Sequence, residues 1–323
     1  MDPQLPRPQT SVGKRVAIIG CGAIGSLYAA HLAHGGCEVW VFTRRAEHAR
    51  ALNAEGLRVS GTHEFHARLQ ATNIPAELPD CEFGIVATKA RQTEEAFAPV
   101  ARKFDRGAVF SAQNGLGSEE ILAKLTRGRI IRGTTFMSGT RQSDTHVQYE
   151  LDTPTWLGPF EPTHTPFAQV QELAGLIVAG GLKAIALEDA RPAQWSKLLF
   201  NSAVNAVSAL TGLPHSRHFA DRSEPSSLGH LLFDLFEEGK RVAGALGVSL
   251  HDDPWEMNKI GAQSNHATSM LYDVGHQQLT EVEFLAGAIA REGERVGAPA
   301  PLHAALYRLI KGREASWAAH EGH

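Results

Sequence analysis

The 323-residue chain has no surplus of positive charge: 31 Lys and Arg stand against 35 Asp and Glu, for a formal net charge of −4. A broad nucleic-acid surface is therefore not expected, and an anionic ligand must be met by a few locally placed cations. Cysteine is scarce. Cys21, Cys37 and Cys81 are odd in number and fall within the first 81 residues, which suits reduced thiols in a cytosol and not a disulfide framework. No run of 18 apolar residues exists, so no membrane span is expected. The polar start, Met1-Asp-Pro-Gln-Leu-Pro, lacks the apolar core of a signal peptide. Residues 1–13 read as a flexible tail, and a cytoplasmic location follows. Internal repeats and low-complexity segments are also missing.

What is present is the composition of an ordinary globular protein, with 43% hydrophobic and 20% charged residues. The length is too great for one comfortable core, so two domains are expected. The first is organised around Val16-Ala-Ile-Ile-Gly20-Cys21-Gly22-Ala23-Ile24-Gly25. Its β-branched run reads as a buried strand, and the Gly20-x-Gly22-x-x-Gly25 spacing is the dinucleotide fingerprint at the point where a strand should meet a helix. Ala23 to His34 then reads as that helix, stopped by Gly35-Gly36, and Glu38 to Thr43 as a second strand. An NAD enzyme usually carries Asp or Glu at the end of this strand. This chain has Thr43-Arg44-Arg45, and a guanidinium pairs with a 2′-phosphate, which favours NADP. The alternative is that both arginines merely open a solvated helix.

Further strands are expected around Gly56–Ser60, Phe65–Leu69, Cys81–Ala87, Gly107–Ser111, Ile130–Met137, His146–Glu150 and Thr155–Gly158, with helices at Arg91–Lys103 and Phe167–Val178. Alternation of this kind implies an α/β Rossmann-type domain with a parallel sheet, over residues 14–188. Ligands in such sheets bind beyond the carboxyl ends of the strands, which makes Thr88-Lys89-Ala90-Arg91-Gln92 and Gln113-Asn114-Gly115-Leu116-Gly117 candidate site loops. From residue 189 to 312 the texture is all-α, with helical windows at Pro192–Leu210, Ser227–Leu246, Pro254–Asp273, Thr280–Val296 and Pro301–Lys311. Residues 313–323 read as a frayed end.

Within the first window Lys197, Asn201 and Asn205 recur at i, i+4 and i+8. On a helix this is one stripe, drifting about 40° per step. A cation and two amides beside an apolar face point to a polar ligand, or to water or a neighbouring helix. Asn265-His266-Ala-Thr268-Ser269 and Thr280-Glu281-Val-Glu283 form a second polar patch. Thr280 and Glu283 have the spacing of a capping box, which would leave Glu281 as an ordinary first-turn acid.

Taken in order, the glycine loop, Thr88-Lys89-Ala-x-Gln92, Gln113-Asn114-Gly-Leu-Gly117, Trp195-x-Lys197-x-x-x-Asn201-x-x-x-Asn205 and Thr268-Ser269-Met-x-x-Asp273 with Thr280-Glu281-Val-Glu283 resemble ketopantoate reductase, 2-dehydropantoate 2-reductase. The resemblance runs from about residue 14 to 312. It implies a Rossmann domain joined to a helical domain, with NADPH and a small 2-keto acid in the cleft between them. Gly20, Cys21, Gly22, Ala23, Ile24 and Gly25 would hold the pyrophosphate, and Arg44 the 2′-phosphate. Lys89, Asn114 and Glu281 would lie near the reacting end of the cofactor. Lys197 would be the catalytic lysine with Glu281 beside it, Asn201 and Asn205 would bind substrate, and Ser269 would meet its carboxylate.

These residue types suit the reaction. Negative charge grows on a carbonyl oxygen as hydride arrives at its carbon, and a lysine ammonium stabilises that charge and supplies the proton. Departures also occur: His215 and His266 stand where family members can carry Asn at the substrate site, and Val274 to Gln278 has no Arg where some members have one. The chemistry is thus expected to be reduction of 2-dehydropantoate, on the route to pantothenate and coenzyme A. The alternatives are another 2-keto acid, or an NADPH-binding regulator without turnover. His63-x-x-His66 reads as a solvated loop or strand pair and no metal is expected. The sequence leaves a homodimer open.

Overall fold

The structure, a computed structural model, describes residues 13–320, with side chains to residue 317. The expected tail, apart from Gly13, lies outside the described residues, as do residues 321–323. The chain forms two compact units: the first runs to Gln113 and resumes from Ser118 to Ala190, and the second comprises Asn114–Gly117 and everything from Arg191.

In the first unit an apolar run buried on both faces begins the sheet. Strand β1 (Arg15–Ile19) sends Val16 and Ile18 into one core and Ala17 and Ile19 into another, so it must be covered on both sides. Helix α1 (Ala23–His34) follows it, then β2 (Glu38–Phe42), and α2 (Ala46–Glu55) leads toward the next strands. β3 (Leu57–Gly61) and β4 (Phe65–Ala67) leave the main sheet, and β5 (Gln70–Thr72) returns to it. β6 (Phe83–Val86), the short helix α3 (Thr93–Phe97), β7 (Ala108–Ser111), α4 (Ser118–Leu125) and β8 (Arg129–Thr135) continue the alternation. The hairpin β9 (Ser138–Ser143) and β10 (His146–Leu151) joins the smaller sheet; β11 (Thr155–Pro159), α5 (Phe167–Ala179) and β12 (Ala184–Ala186) complete the larger one.

The eight-stranded sheet has the order β12-β11-β8-β7-β6-β1-β2-β5. From β5 to β8 all pairs are parallel, and β11 runs antiparallel to β8. That parallel portion has the doubly wound Rossmann order, and its direction of winding reverses between β1 and β6. The ligand crevice of such a sheet opens at their carboxyl ends, where Gly20 and Thr88-Lys89 lie. A separate four-stranded sheet has the order β4-β3-β10-β9. β9 was not foreseen because Ser-Gly-Thr-Arg-Gln-Ser has no apolar alternation; it is held by ladder bonds to β10 at an edge. The single helix expected at Arg91–Lys103 is also corrected. Pro99 has no N–H to donate, and α3 gives way to tight turns over Ala98–Phe104.

The second unit is helical and is built around α6 (Arg191–Thr211). Leu198, Leu199, Ala203, Val204 and Val207 of α6 enter a core shared with α7 (Leu228–Ala245), α9 (Ser269–Gly275), α10 (Ala286–Arg295) and α11 (Pro301–His320). The window Pro254–Asp273 is two helices, α8 (Pro254–Gly261) and α9, not one. Asn265 breaks the path with φ of 49°, and Thr268 starts α9 by accepting from the Leu271 N–H at 3.2 Å. The end foreseen as frayed is helical to His320. Glu314 explains part of this, for its buried carboxylate accepts from both the backbone and the hydroxyl of Thr280 at 2.8 and 2.7 Å. The expected capping box is absent for the same reason. Thr280 is committed to Glu314, while Glu283 accepts from Tyr307 at 2.5 Å and pairs with Arg291. Among the described residues no helix is long and apolar enough to cross a membrane.

Candidate functional site

The glycine loop shows three separate reasons for its three glycines. Gly20 has φ of +91°, and a Cβ there would lie 2.4 Å from Thr88 Cγ2. At Gly25 a Cβ would lie 2.0 Å from the Gly20 carbonyl oxygen, so α1 can approach β1 this closely only without a side chain. Gly22 meets nothing within 4 Å. Its lack of a Cβ serves no protein contact and leaves the backbone approachable from outside. No side chain caps α1, so its first N–H groups and its positive dipole end face the loop, the arrangement that binds a pyrophosphate. Ala23 and Ile24 form the first turn. Cys21 is buried, its sulfur 3.2 Å from Ser26 Oγ, and burial pushes the thiol up to about 11. The thiol is thus held protonated within the loop, at the edge of the cavity beside it.

Beside the loop lies a cavity of about 380 Å³, lined among others by Gly20, Thr43, Arg44, His48 and Thr88. Here the structure separates two adjacent arginines that sequence could not. Arg45 pairs with Asp144 at the turn of the β9–β10 hairpin, and Arg141 pairs with the same carboxylate at 2.9 Å. Burial opposes ionisation of Asp144, but Arg45, His48 and Arg141 hold its carboxyl below the usual range. Arg44 is exposed and forms no ion pair with a described residue. It is the guanidinium available to a phosphate in this cavity. Lys89 is half-buried at the carboxyl end of β6 and precedes the turn Ala90–Gln92.

In the second unit, the segment Asn114–Gly117 packs on residues 281–284. Gly115 has φ of +91°, a Cβ there would meet the Phe284 oxygen at 2.1 Å, and the Leu116 N–H donates to that oxygen at 3.0 Å. This close fit delivers Asn114 to α6. Lys197 Nζ donates to Asn114 Oδ1 at 2.9 Å, and Asn114 Nδ2 donates to Glu281 Oε2 at 3.3 Å. One amide thus bridges the ammonium and a carboxylate that is 5% exposed. Burial lowers Lys197 to about 8, and the charge of Glu281 opposes that fall. A lysine tuned close to neutrality, oriented by an amide and backed by a carboxylate, can donate a proton to a nearby oxygen.

The remaining residues divide. Asn201 is half-buried and Asn205 buried on the stripe that begins with Lys197, and neither side-chain amide bonds to another described residue. Ser269 and His266 are exposed, at the start of α9 and in the loop before it. His215 differs from the expectation of a substrate contact. It is buried, its Nε2 lies 2.9 Å from Asn258 Oδ1, and its ring packs edge-on against Phe200 and Phe219. Its backbone pairs with that of His266 in both directions, at 2.8 and 3.0 Å. The main chain at His215 thus holds the loop that carries His266. His63 faces His31 at 3.0 Å, and the described residues include no group of three or more His, Cys, Asp or Glu able to hold a metal.

Two family models match in succession, ketopantoate reductase PanE/ApbA over residues 16–162 and its C-terminal counterpart over residues 189–314. The 2-dehydropantoate 2-reductase of Archaeoglobus fulgidus is 30% identical over 302 residues, covering 93% of this chain and 98% of its own. A ketopantoate reductase structure from Ralstonia eutropha superposes with a TM-score of 0.82 at 26% identity, covering 94% of this chain and 99% of that one. A D-mandelate dehydrogenase complex with NADH and anilino(oxo)acetate shares the fold, at a TM-score of 0.82 and 23% identity, covering 94% of this chain and 99% of that one. The chain belongs to the ketopantoate reductase family.

Proposed function

We propose that the protein reduces 2-dehydropantoate to pantoate with NADPH, in the supply of pantothenate and coenzyme A, and that Lys197 donates the proton. The observation that carries this reading is the hydrogen-bonded series Lys197–Asn114–Glu281. A part-buried lysine held by an amide, with a carboxylate bonded to the same amide, is oriented for proton donation to an oxygen placed against it.

NADPH suits the residues present: an open Gly22, an uncapped α1, a cavity at the carboxyl end of β2 and an exposed Arg44. When bound, NADPH supplies the hydride. The chain's own groups do the rest. Gly20 to Gly25 seat the pyrophosphate, Arg44 meets the 2′-phosphate, and Lys89 and Asn114 flank the reacting end. Asn201 and Asn205 offer their amides to the substrate, Ser269 and His266 its carboxylate, and the Lys197 ammonium stabilises the growing oxyanion and protonates it. Glu281 keeps Lys197 charged.

The test is loss of NADPH absorbance with ketopantoate as substrate. Lys197→Ala should lose about 10²-fold or more in turnover while retaining NADPH binding; near-normal turnover would refute the assignment. A second reading, reduction of another 2-keto acid, rests on His266 and on the uncharged segment Val274–Gln278. A panel of 2-keto acids compared by kcat/KM decides between them, and absence of turnover with all of them would leave an NADPH-binding regulator.

A further inference from the structure

Gln113 is the last residue of the first unit before the chain enters the second, and it is buried. Its carboxamide sits at the centre of a polar cluster. Nε2 donates toward the backbone oxygen and the hydroxyl of Thr88, both at 3.1 Å, and toward Thr93 Oγ1 at 2.8 Å. Oε1 accepts from Ser111 Oγ at 3.4 Å and lies 3.2 Å from Thr93 Oγ1, whose own proton has the Ala90 oxygen at 2.6 Å. One side chain thereby ties the end of β7 to the end of β6 and to the turn after Lys89. Thr88 in turn is the residue on which Gly20 rests. The next residue in the chain is Asn114, whose amide holds Lys197 and Glu281.

We infer that Gln113 is a positioning residue that fixes the Thr88–Thr93 turn, and so the bed of the cofactor, and that holds the backbone from which Asn114 follows. The inference rests on the function proposed above. Its physical ground is that a buried amide with two donors and one acceptor engaged has one favourable orientation, and that orientation fixes the backbone on both sides of it. Hydride transfer is steep in distance, and a displacement of about 1 Å can cost about 10²-fold in rate. A residue that touches neither reactant can therefore control kcat.

The experiment compares the full-length wild type with Gln113→Met, which keeps the length and removes every hydrogen bond, and Gln113→Glu, which keeps the acceptor and loses the donors. Kinetics use NADPH, 4-deuterated NADPH and the 2-keto acid that the wild type turns over best. Both variants should fold, bind NADPH within about threefold of wild type and lose about tenfold or more in kcat, with a raised primary isotope effect. In the cofactor-free protein, amide exchange in residues 88–93 and at Leu116 should quicken in both variants. A folded variant with unchanged kcat and exchange, or one whose loss lies wholly in KM, overturns the inference. Should the wild type turn over no 2-keto acid, the proposed function fails, while the exchange comparison still decides whether Gln113 holds residues 88–93 and the backbone that follows it.

Discussion

Replacing Glu281 by Gln removes one negative charge while preserving an oxygen that can accept from Asn114 Nδ2, so it isolates the electrostatic part of the site. The charge of Glu281 raises the Lys197 pKa against the lowering by burial, and Asn114 hydrogen-bonds to both groups. At an effective dielectric constant of about 20 two unit charges attract by about 4 kcal/mol at about 4 Å and about 2 kcal/mol at about 7 Å. Solvent screening at a part-exposed lysine lowers either to an effect on the order of one pKa unit. Lys197 lies at about 8 with Glu281 present. The variant should therefore titrate about one unit lower. The sign follows from the mechanism: the ammonium is the required form, so activity falls as pH rises through the lysine pKa. At pH about 9 the variant should retain about one tenth of wild-type kcat/KM, and at pH about 6, where both lysines are protonated, the two should converge. The assay is kcat/KM with ketopantoate from pH 6 to 10. A uniform loss at every pH, with the alkaline limb unmoved, would show that Glu281 does not act through the charge of Lys197.

Other substitutions separate the parts of the cofactor site. Arg44→Ala should weaken NADPH by about 10- to 100-fold and leave NADH nearly unchanged, since only the 2′-phosphate contact is lost; equal effects on both nucleotides would refute that role. Arg45→Ala should have the smaller effect on NADPH, because Asp144 already engages Arg45; the same titrations with both nucleotides test this. Gly22→Ala should melt within about 2 °C of wild type yet bind NADPH at least about tenfold more weakly, because its Cβ meets open space in the protein and a pyrophosphate when bound. Gly25→Ala should melt lower by about 5 °C, since its Cβ would stand 2.0 Å from the Gly20 oxygen. Thermal unfolding and nucleotide titration of this pair would overturn the account if the two glycines behaved alike.

Short-range features were legible in the chain. The buried β-branched run of β1, the glycines that follow it and the Ala-rich α1 are local consequences of residue type, and they stand where the sequence places them. So is the stripe of Lys197, Asn201 and Asn205, because helical spacing alone puts these residues on one face. What sequence could not supply were partners distant along the chain. Nothing local distinguishes Arg44 from Arg45; Asp144, 99 residues from Arg45, does so by capturing one of them. The spacing of Thr280 and Glu283 reads as a capping box until Glu314 and Tyr307 arrive from α11 and take both side chains. His215 reads as a polar site residue, yet Asn258 and two phenylalanine rings make it part of the interior.

By itself the sequence determined the nucleotide-binding frame and the helical second half, since these follow from patterns repeated every two to four residues. Only the tertiary structure decided that Asn114 hydrogen-bonds to both Lys197 and Glu281 and that Gln113 holds the end of β6. Those bonds join residues 25 to 167 positions apart. A buried amide is oriented by every polar group around it at once, and that set exists only when the chain has folded.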